Sequence, residues 1–369
     1  MKLAIILGTR PEIIKFSPII REAERRNIEY LIIHSNQHYS YEMDEIFFKE
    51  LSLRKPDHNL RIGSGTHAQQ TLSTLLPLET ILPCEKPDIV LVQGDTNTAL
   101  AGSLATSKTR FPLAHVEAGL RSFDRRMPEE TNRIIADHLS DYLFPPTETA
   151  MNNLREEGIG RRPLLRENGM TEIKIKITGN TSVDATLQNS TLAEKSNYLE
   201  KQGLSKKQFI LATAHRAENV DHPSFLPKLL KSLEILSDQL SLPVFYPMHP
   251  RSREIAKRNG YLVNSRKVIL SEPVGYLEFL CLEKNARLIL TDSGGVQEEA
   301  CTLGIPAVVL RKSSDRPEAI ESGAAVLADP EEESLIPACN KMLLAKNWKN
   351  PLGQGNAAEK ILDCLEGKD

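Results

Sequence analysis

Short apolar runs alternate with amphipathic stretches from one end of the chain to the other. In the first half, runs that predict strands are Leu3–Leu7, Tyr30–His34, Ile89–Gln93, Leu113–Val116, Tyr142–Phe144 and Ile173–Thr178. Helical periodicity fills the gaps, as over Glu12–Arg25 and Ala99–Ser107. The second half repeats the theme with Phe209–Thr213, Val244–Tyr246, Lys267–Leu270, Leu288–Thr291, Ala307–Leu310 and Ala325–Ala328. Its helical patterns include Pro223–Asp238, Tyr276–Lys284, Gly295–Leu303 and Glu331–Ala345. Continuous β-rich runs alternating with helices predict parallel sheets covered on both faces. The chain reads as two doubly wound α/β units in series, joined near Gly179-Asn180-Thr181. A length of 369 residues fits two such domains.

A net charge of -3, with basic residues scattered, gives no electrostatic case for nucleic acid or an anionic membrane as partner. No run approaches the ~20 apolar residues that span a bilayer. The apolar run at Leu3–Leu7 is too short for a signal peptide and precedes Gly8-Thr9-Arg10-Pro11, which is no small-residue cleavage site. The five cysteines, Cys84, Cys281, Cys301, Cys339 and Cys364, are odd in number and lack CxxC spacing. Reduced thiols and a cytoplasmic location are therefore expected.

In open parallel sheets, ligands bind beyond the carboxyl ends of strands, where strand order reverses. The unusual residues of this chain cluster there. After the first strand comes Gly8-Thr9-Arg10-Pro11-Glu12, which places Arg10 and Lys15 near a helix N-terminus, itself an anion site. A plain strand–helix turn with a solvated arginine explains it equally well. Gln93-Gly94-Asp95-Thr96 sets a carboxylate at a strand end, where Asp95 is either a helix N-cap or a site group. In His115-Val116-Glu117, the glutamate cannot face an apolar core unpaired, so it caps, pairs with an arginine or faces a cleft. Glu129 and Glu130 open a helix whose dipole favours them whatever their function, and Arg133 lies four residues after Glu129 on the same face. The pair His215-Arg216 follows another strand and can meet a diphosphate.

Asp292-Ser293-Gly294-Gly295-Val296-Gln297-Glu298-Glu299 carries the most specific signal. A Ser-Gly-Gly turn opening a helix presents unpaired backbone N–H groups to a phosphate, and the missing side chains allow close approach. A carboxylate one turn into the helix can accept from two ribose hydroxyls. The turn is neither the dinucleotide fingerprint nor a Walker loop, so no NAD is expected. Metal-ligand spacings and a GxSxG elbow are absent too, so no metal or other cofactor is expected.

Together these segments resemble the non-hydrolysing UDP-N-acetylglucosamine 2-epimerases. The resemblance runs from Gly8-Thr9-Arg10-Pro11-Glu12 through Gln37-His38, Gly94-Asp95-Thr96, His115–Arg121, Pro128-Glu129-Glu130, Gly179-Asn180-Thr181, His215-Arg216 and Asp292–Gly295 to Asp315-Arg316-Pro317-Glu318. It implies a GT-B fold, two Rossmann-like domains facing a central cleft. These are expected over residues 1–178 and 179–354, with the last segment, 355–369, crossing back to the first domain. It implies interconversion of UDP-GlcNAc and UDP-ManNAc by elimination of UDP to 2-acetamidoglucal and re-addition, in a homodimer. Asp95, Glu117, Glu129 and His215 take the catalytic positions by this match. Arg10, Lys15, Arg133 and Arg216 take substrate-binding positions, as do Ser293, Gly294 and Gly295 at the diphosphate, Glu299 at the ribose, Arg316 elsewhere on UDP, and Val274 and Phe279 at the uracil.

Two departures from the family pattern stand out. Members activated by a second UDP-GlcNAc carry a glutamine near the position of Glu45, and this chain does not. The turn Ser322-Gly323-Ala324-Ala325 lacks the threonine common after its glycine. Competing readings are an epimerase of a related UDP-diacetamido sugar, a GT-B glycosyltransferase, a hydrolysing epimerase, and a catalytically silent UDP-sugar-binding regulator.

Overall fold

The structure, a computed structural model, describes residues 1–37, 41–161, 163–166, 169–261, 267–313 and 317–368. By internal contacts the chain divides into two units, residues 1–185 with 353–369, and residues 186–352. The division falls inside one helix, Thr181–Ala193, a few residues beyond the expected join.

In the first unit, the apolar runs become strands β1 (Lys2–Leu7), β2 (Glu29–His34), β3 (His58–Asn59), β4 (Ile89–Gln93), β5 (Leu113–Val116) and β6 (Tyr142–Phe144). The hairpin β7 (Leu164–Arg166) and β8 (Gly169–Thr171) and the short β9 (Lys174–Ile175) follow. Helices α1 (Arg10–Arg25), α2 (Tyr41–Glu50), α3 (His67–Glu85), α4 (Asn97–Ser107), α5 (Pro128–Leu139) and α6 (Glu148–Glu156) connect them. The main sheet is ordered β3-β2-β1-β4-β5-β6-β9 and every pairing is parallel. Leu3 to Leu7 of β1 are fully buried, as expected for a strand covered on both faces. Each leucine or isoleucine among them contributes about 1.5–3 kcal/mol by leaving water.

Helix α7 (Thr181–Ala193) leads into the second unit. Its elements are α8 (Tyr198–Lys201), β10 (Ile210–Thr213), α9 (Ala217–Val220), α10 (Phe225–Leu240), β11 (Val244–Pro247) and α11 (Pro250–Arg258). They continue as β12 (Val268–Ser271), α12 (Tyr276–Asn285), β13 (Leu288–Thr291), α13 (Gly294–Leu303), β14 (Ala307–Val309), α14 (Pro317–Glu321), β15 (Ala325–Leu327) and α15 (Glu332–Leu344). The sheet order is β12-β11-β10-β13-β14-β15, again all parallel. Both sheets thus carry the 3-2-1-4-5-6 order, the first with β9 added beyond β6, and the order reverses between β1 and β4 in one and between β10 and β13 in the other.

The last helix, α16 (Ala357–Glu366), packs on α1 in the first unit. Arg26, just past α1, reaches Asp363 and Glu366, both at 2.7 Å. Asp184 accepts the Ala358 N–H at 3.0 Å, capping the incoming helix. Ile361, Leu362 and Leu365 bury its apolar face. Among the described residues no helix is long and apolar enough to cross a membrane.

Candidate active site and family

In the first unit, three strand ends bring the expected site residues together. Lys15, from α1, donates to both oxygens of Glu117, just past β5, at 2.8 and 2.7 Å. Gln93, the last residue of β4, also donates to Glu117. The Glu117 side chain is buried, 5 % exposed. Its backbone is left-handed, φ 68°, a strained state for a residue with a side chain and one found preferentially at functional sites. Gly94 is also left-handed, and a Cβ there would stand 3.8 Å from the Glu117 carboxylate. The β4 turn and the Glu117 carboxylate are therefore neighbours.

Asp95 pairs with Arg133 of α5, and its own carbonyl accepts from Asn132 at 2.9 Å. Arg133 turns its other nitrogen to Glu130 at 3.0 Å. The sequence placed Arg133 on the face of Glu129, but its partners are Glu130, three residues back, and Asp95. Glu130 itself accepts from the backbone of Ser122 and Phe123, 2.9 and 3.0 Å, and so fixes the loop before α5. Glu129 is half-buried and forms no ion pair with a described residue. Arg10 lies with its guanidinium 4.9 Å from the Phe47 ring centre.

Beneath this cluster lie groups whose importance the sequence did not reveal. Glu12, 1 % exposed, accepts from the Gly8 N–H (3.0 Å), the Thr9 N–H (2.8 Å) and the Thr9 hydroxyl (2.8 Å). Its second oxygen accepts from Thr96 at 2.8 Å. One carboxyl thus ties the β1 turn to the β4 turn across the reversal in strand order. Burial pushes it up to about 7, against the pull of these donors. Gln37 completes the layer, accepting from the Thr98 N–H and hydroxyl at 3.1 and 2.8 Å. His38 lies outside the described residues.

His115 is fully buried between the Asp137 carboxylate (2.7 Å) and the Gly94 carbonyl (2.8 Å). Both partners are acceptors, so the ring carries both protons. Burial works against that charge, but the facing Asp137 and the carbonyl outweigh it, and the pKa is raised. Asp137 also accepts from the Gly119 N–H and from Arg121, whose other edge meets Glu157 at 2.7 and 2.6 Å. This chain of charges holds the turn that presents Glu117.

The second unit uses the same device. Asp292, fully buried at the end of β13, accepts the N–H groups of His215 (3.1 Å) and Arg216 (3.0 Å) and the Asn219 amide (3.1 Å). It ties the β10 turn to the β13 turn, as Glu12 does in the first unit. The His215 ring is half-exposed and lies 3.4 Å from Asp292. Ser293 caps α13, its side chain accepting from the Val296 N–H at 3.4 Å. Gly294 and Gly295 form the first turn of α13, where backbone N–H groups have no carbonyl one turn back to donate to. Val274, just before α12, and Phe279, at the end of its first turn, pack partly buried against the core of this unit. Glu299, one turn into α13, is half-buried. Arg316 lies outside the described residues. Among the described residues no three His, Cys, Asp or Glu side chains gather as a metal site.

The family model for UDP-N-acetylglucosamine 2-epimerase matches residues 21–366. A UDP-N-acetylglucosamine 2-epimerase of Methanocaldococcus jannaschii is 52% identical over 372 residues, covering 99% of each chain. A UDP-2,3-diacetamido-2,3-dideoxy-D-glucuronate 2-epimerase of Pseudomonas aeruginosa is 39% identical, again covering 99% of each. The crystal structure of the M. jannaschii enzyme in complex with UDP-GlcNAc and UDP matches over 100% of both chains with a TM-score of 0.84. The two parallel-sheet units make up the GT-B fold. With motifs, fold and full-length likeness agreeing, the chain belongs to the UDP-N-acetylglucosamine 2-epimerase family.

Proposed function

We propose that this protein interconverts UDP-GlcNAc and UDP-ManNAc at C2, by eliminating UDP to bound 2-acetamidoglucal and adding it back. The observation that carries the reading is the cluster at the ends of β1, β4 and β5, where Lys15–Glu117 and Arg133–Asp95 pair beside one another. No carbonyl acidifies the C2 proton, so C1–O cleavage runs ahead and builds positive charge at C1. Carboxylates near the ring stabilise that charge and handle the proton. Inversion requires proton delivery to either face of C2, hence more than one carboxylate; Asp95, Glu117 and Glu129 supply them. His215 joins the catalytic set, and Arg10, Lys15, Arg133 and Arg216 serve substrate binding. In the second unit, Ser293, Gly294 and Gly295 hold the diphosphate, Glu299 the ribose, and Val274 and Phe279 the uracil, with Arg316 on UDP. UDP stays bound between the two half-reactions, or the glucal escapes.

The test is incubation with UDP-GlcNAc in D2O, followed by NMR. Deuterium at C2 of a UDP-GlcNAc and UDP-ManNAc mixture is expected, and Glu117→Gln should abolish exchange while UDP still binds. Products without solvent isotope at C2 would rule the mechanism out. The P. aeruginosa relative supports a second reading, turnover of a UDP-2,3-diacetamido sugar. Parallel kcat/KM measurements on both substrates decide between them, and UDP-GlcNAc is expected to be preferred.

A further inference from the structure

In the second unit, the peptide group between Ala214 and His215 is held at both edges. Ala214 lies one residue past β10, where pairing with β13 has ended at Thr213. Its carbonyl accepts from the Tyr246 hydroxyl of β11 at 3.1 Å and from the Ser252 hydroxyl of α11 at 3.3 Å. The N–H of the same peptide group, that of His215, donates to both oxygens of Asp292 at 3.1 Å each. Ala214, Tyr246, Ser252 and Asp292 are all buried. The His215 side chain that follows is half-exposed.

These bonds fix a direction. An amide is planar, so holding its oxygen and its N–H sets the rotation about the bonds on either side. Those rotations aim the Cα–Cβ bond of His215. Hydroxyl, carbonyl, N–H and carboxylate also run donor to acceptor in one line, and each bond polarises the next. Burial, and after it the charge of Asp292, raise the Tyr246 phenol above its ordinary pKa, so it stays a donor. The Tyr246 ring belongs to an apolar core with Ile210, Leu290 and Val308. A phenylalanine would fill that place with no oxygen to satisfy, so what the hydroxyl adds is its bond to Ala214.

We propose that Tyr246 is a positioning residue: with Ser252 it locks the Ala214–His215 peptide against Asp292 and so aims the His215 imidazole for catalysis. The assignment rests on the reading of His215 as a catalytic group. It gives the β10 turn two holds of different kinds. Asp292 gathers N–H groups, and the two hydroxyls fix the carbonyl side. The Arg216 N–H reaches Asp292 through its own bond at 3.0 Å, so it keeps its place when the carbonyl is released. Losing the Tyr246 hydroxyl therefore costs turnover rather than grip on the nucleotide.

The test measures kcat for UDP-GlcNAc epimerisation, and the dissociation constant of UDP by calorimetry, on the full chain. Tyr246→Phe keeps the ring and the packing. It should lower kcat about 10-fold, as a small misplacement of a reacting group does, and leave the UDP constant within about twofold of wild type. Adding Ser252→Ala strips the carbonyl of both hydroxyls and should take the loss to about 100-fold. His215→Asn should lower kcat on its own, and Tyr246→Phe added to it should cost nothing more, because the hydroxyl acts through the imidazole. A Tyr246→Phe enzyme that melts lower but turns over normally when folded overturns the positioning role. So does a kcat penalty that is the same with and without His215, or UDP affinity that falls in step with kcat. In those cases a low kcat for His215→Asn still supports the His215 reading. If the wild type does not turn over UDP-GlcNAc, or His215→Asn turns over as fast as it does, that underlying reading fails and takes the proposal with it.

Discussion

Lys15 and Glu117 are far apart in sequence and close into a buried ion pair, with side chains 14 % and 5 % exposed. Breaking such a pair from one side leaves an uncompensated buried charge, at a cost of about 3–5 kcal/mol. Lys15→Met is therefore expected to lower stability by about 3 kcal/mol in urea unfolding. Adding Glu117→Gln should restore part of the loss; additive losses would show that the pair is not coupled. The His115–Asp137 pair yields a prediction in pH. His115 is raised from 6.5, so its contribution is present below that value and fades as pH climbs through the higher folded-state pKa. Asp137, lowered from 3.8 by His115 and Arg121 against its burial, contributes above that value and loses its share as pH falls through the folded-state pKa. His115→Gln should thus destabilise the protein most between those two values and progressively less at alkaline pH. A penalty that does not change with pH would contradict a charged His115. At this scale the sequence showed which residues stand at strand ends but not whom they meet. Periodicity put Arg133 beside Glu129, yet the choice of Glu130 and Asp95 depends on where the β4 turn lies in space. Glu12 and Asp292 were visible only as members of motifs, because a carboxylate that collects N–H groups from another turn has no local signature.

The elements themselves were largely legible, and for a physical reason. Strands such as Ile89–Gln93, Leu113–Val116 and Leu288–Thr291 are buried on both faces, so they read as unbroken apolar runs. The strand expected over Ile173–Thr178 is paired only at Lys174–Ile175, at the sheet edge, where half-buried positions weaken the pattern. β3 and the β7–β8 hairpin are two or three residues per strand, too short to show any period. Turn geometry separates two glycines that look alike in sequence. Gly94 and Gly119 are both left-handed, at φ 67° and 78°. A Cβ at Gly94 meets only the Glu117 carboxylate at contact distance, whereas at Gly119 it would overlap the Ala150 carbonyl. Gly94→Ala should cost the 1–2 kcal/mol of the left-handed backbone alone, or about that. Gly119→Ala should cost about 3 kcal/mol or more, because backbone must move. Equal melting temperatures for the two variants would refute this ranking.

On the scale of the whole molecule, the two sheets share one strand order, and each joins the turns at its reversal with a buried carboxylate, Glu12 in one and Asp292 in the other. The sequence showed the repetition of strands but could not order them, since order depends on which crossover packs where. The return of α16 onto α1 was expected from family likeness alone; the ion pairs of Arg26 give it a physical basis. Ending the chain at Leu352 uncovers the sites of Ile361, Leu362 and Leu365 on the first unit. At about 1.5–3 kcal/mol per side chain, the loss is on the order of 5 kcal/mol. Hydrogen exchange should then quicken across β1, α1 and β2 while β10 to β15 keep their protection. Uniform quickening would mean that the helix stabilises more than the unit it packs on.

That returning helix has a further consequence for how the protein is made. The first unit supplies the opening 185 residues, yet its last helix lies beyond residue 352. A ribosome adding ~5–20 residues per second must translate the whole second unit in between, a delay of roughly 10–30 s. Throughout that interval α1 on the nascent chain presents the apolar seat of α16 uncovered. The second unit, continuous in sequence, completes its fold first, and the half made earliest is sealed last.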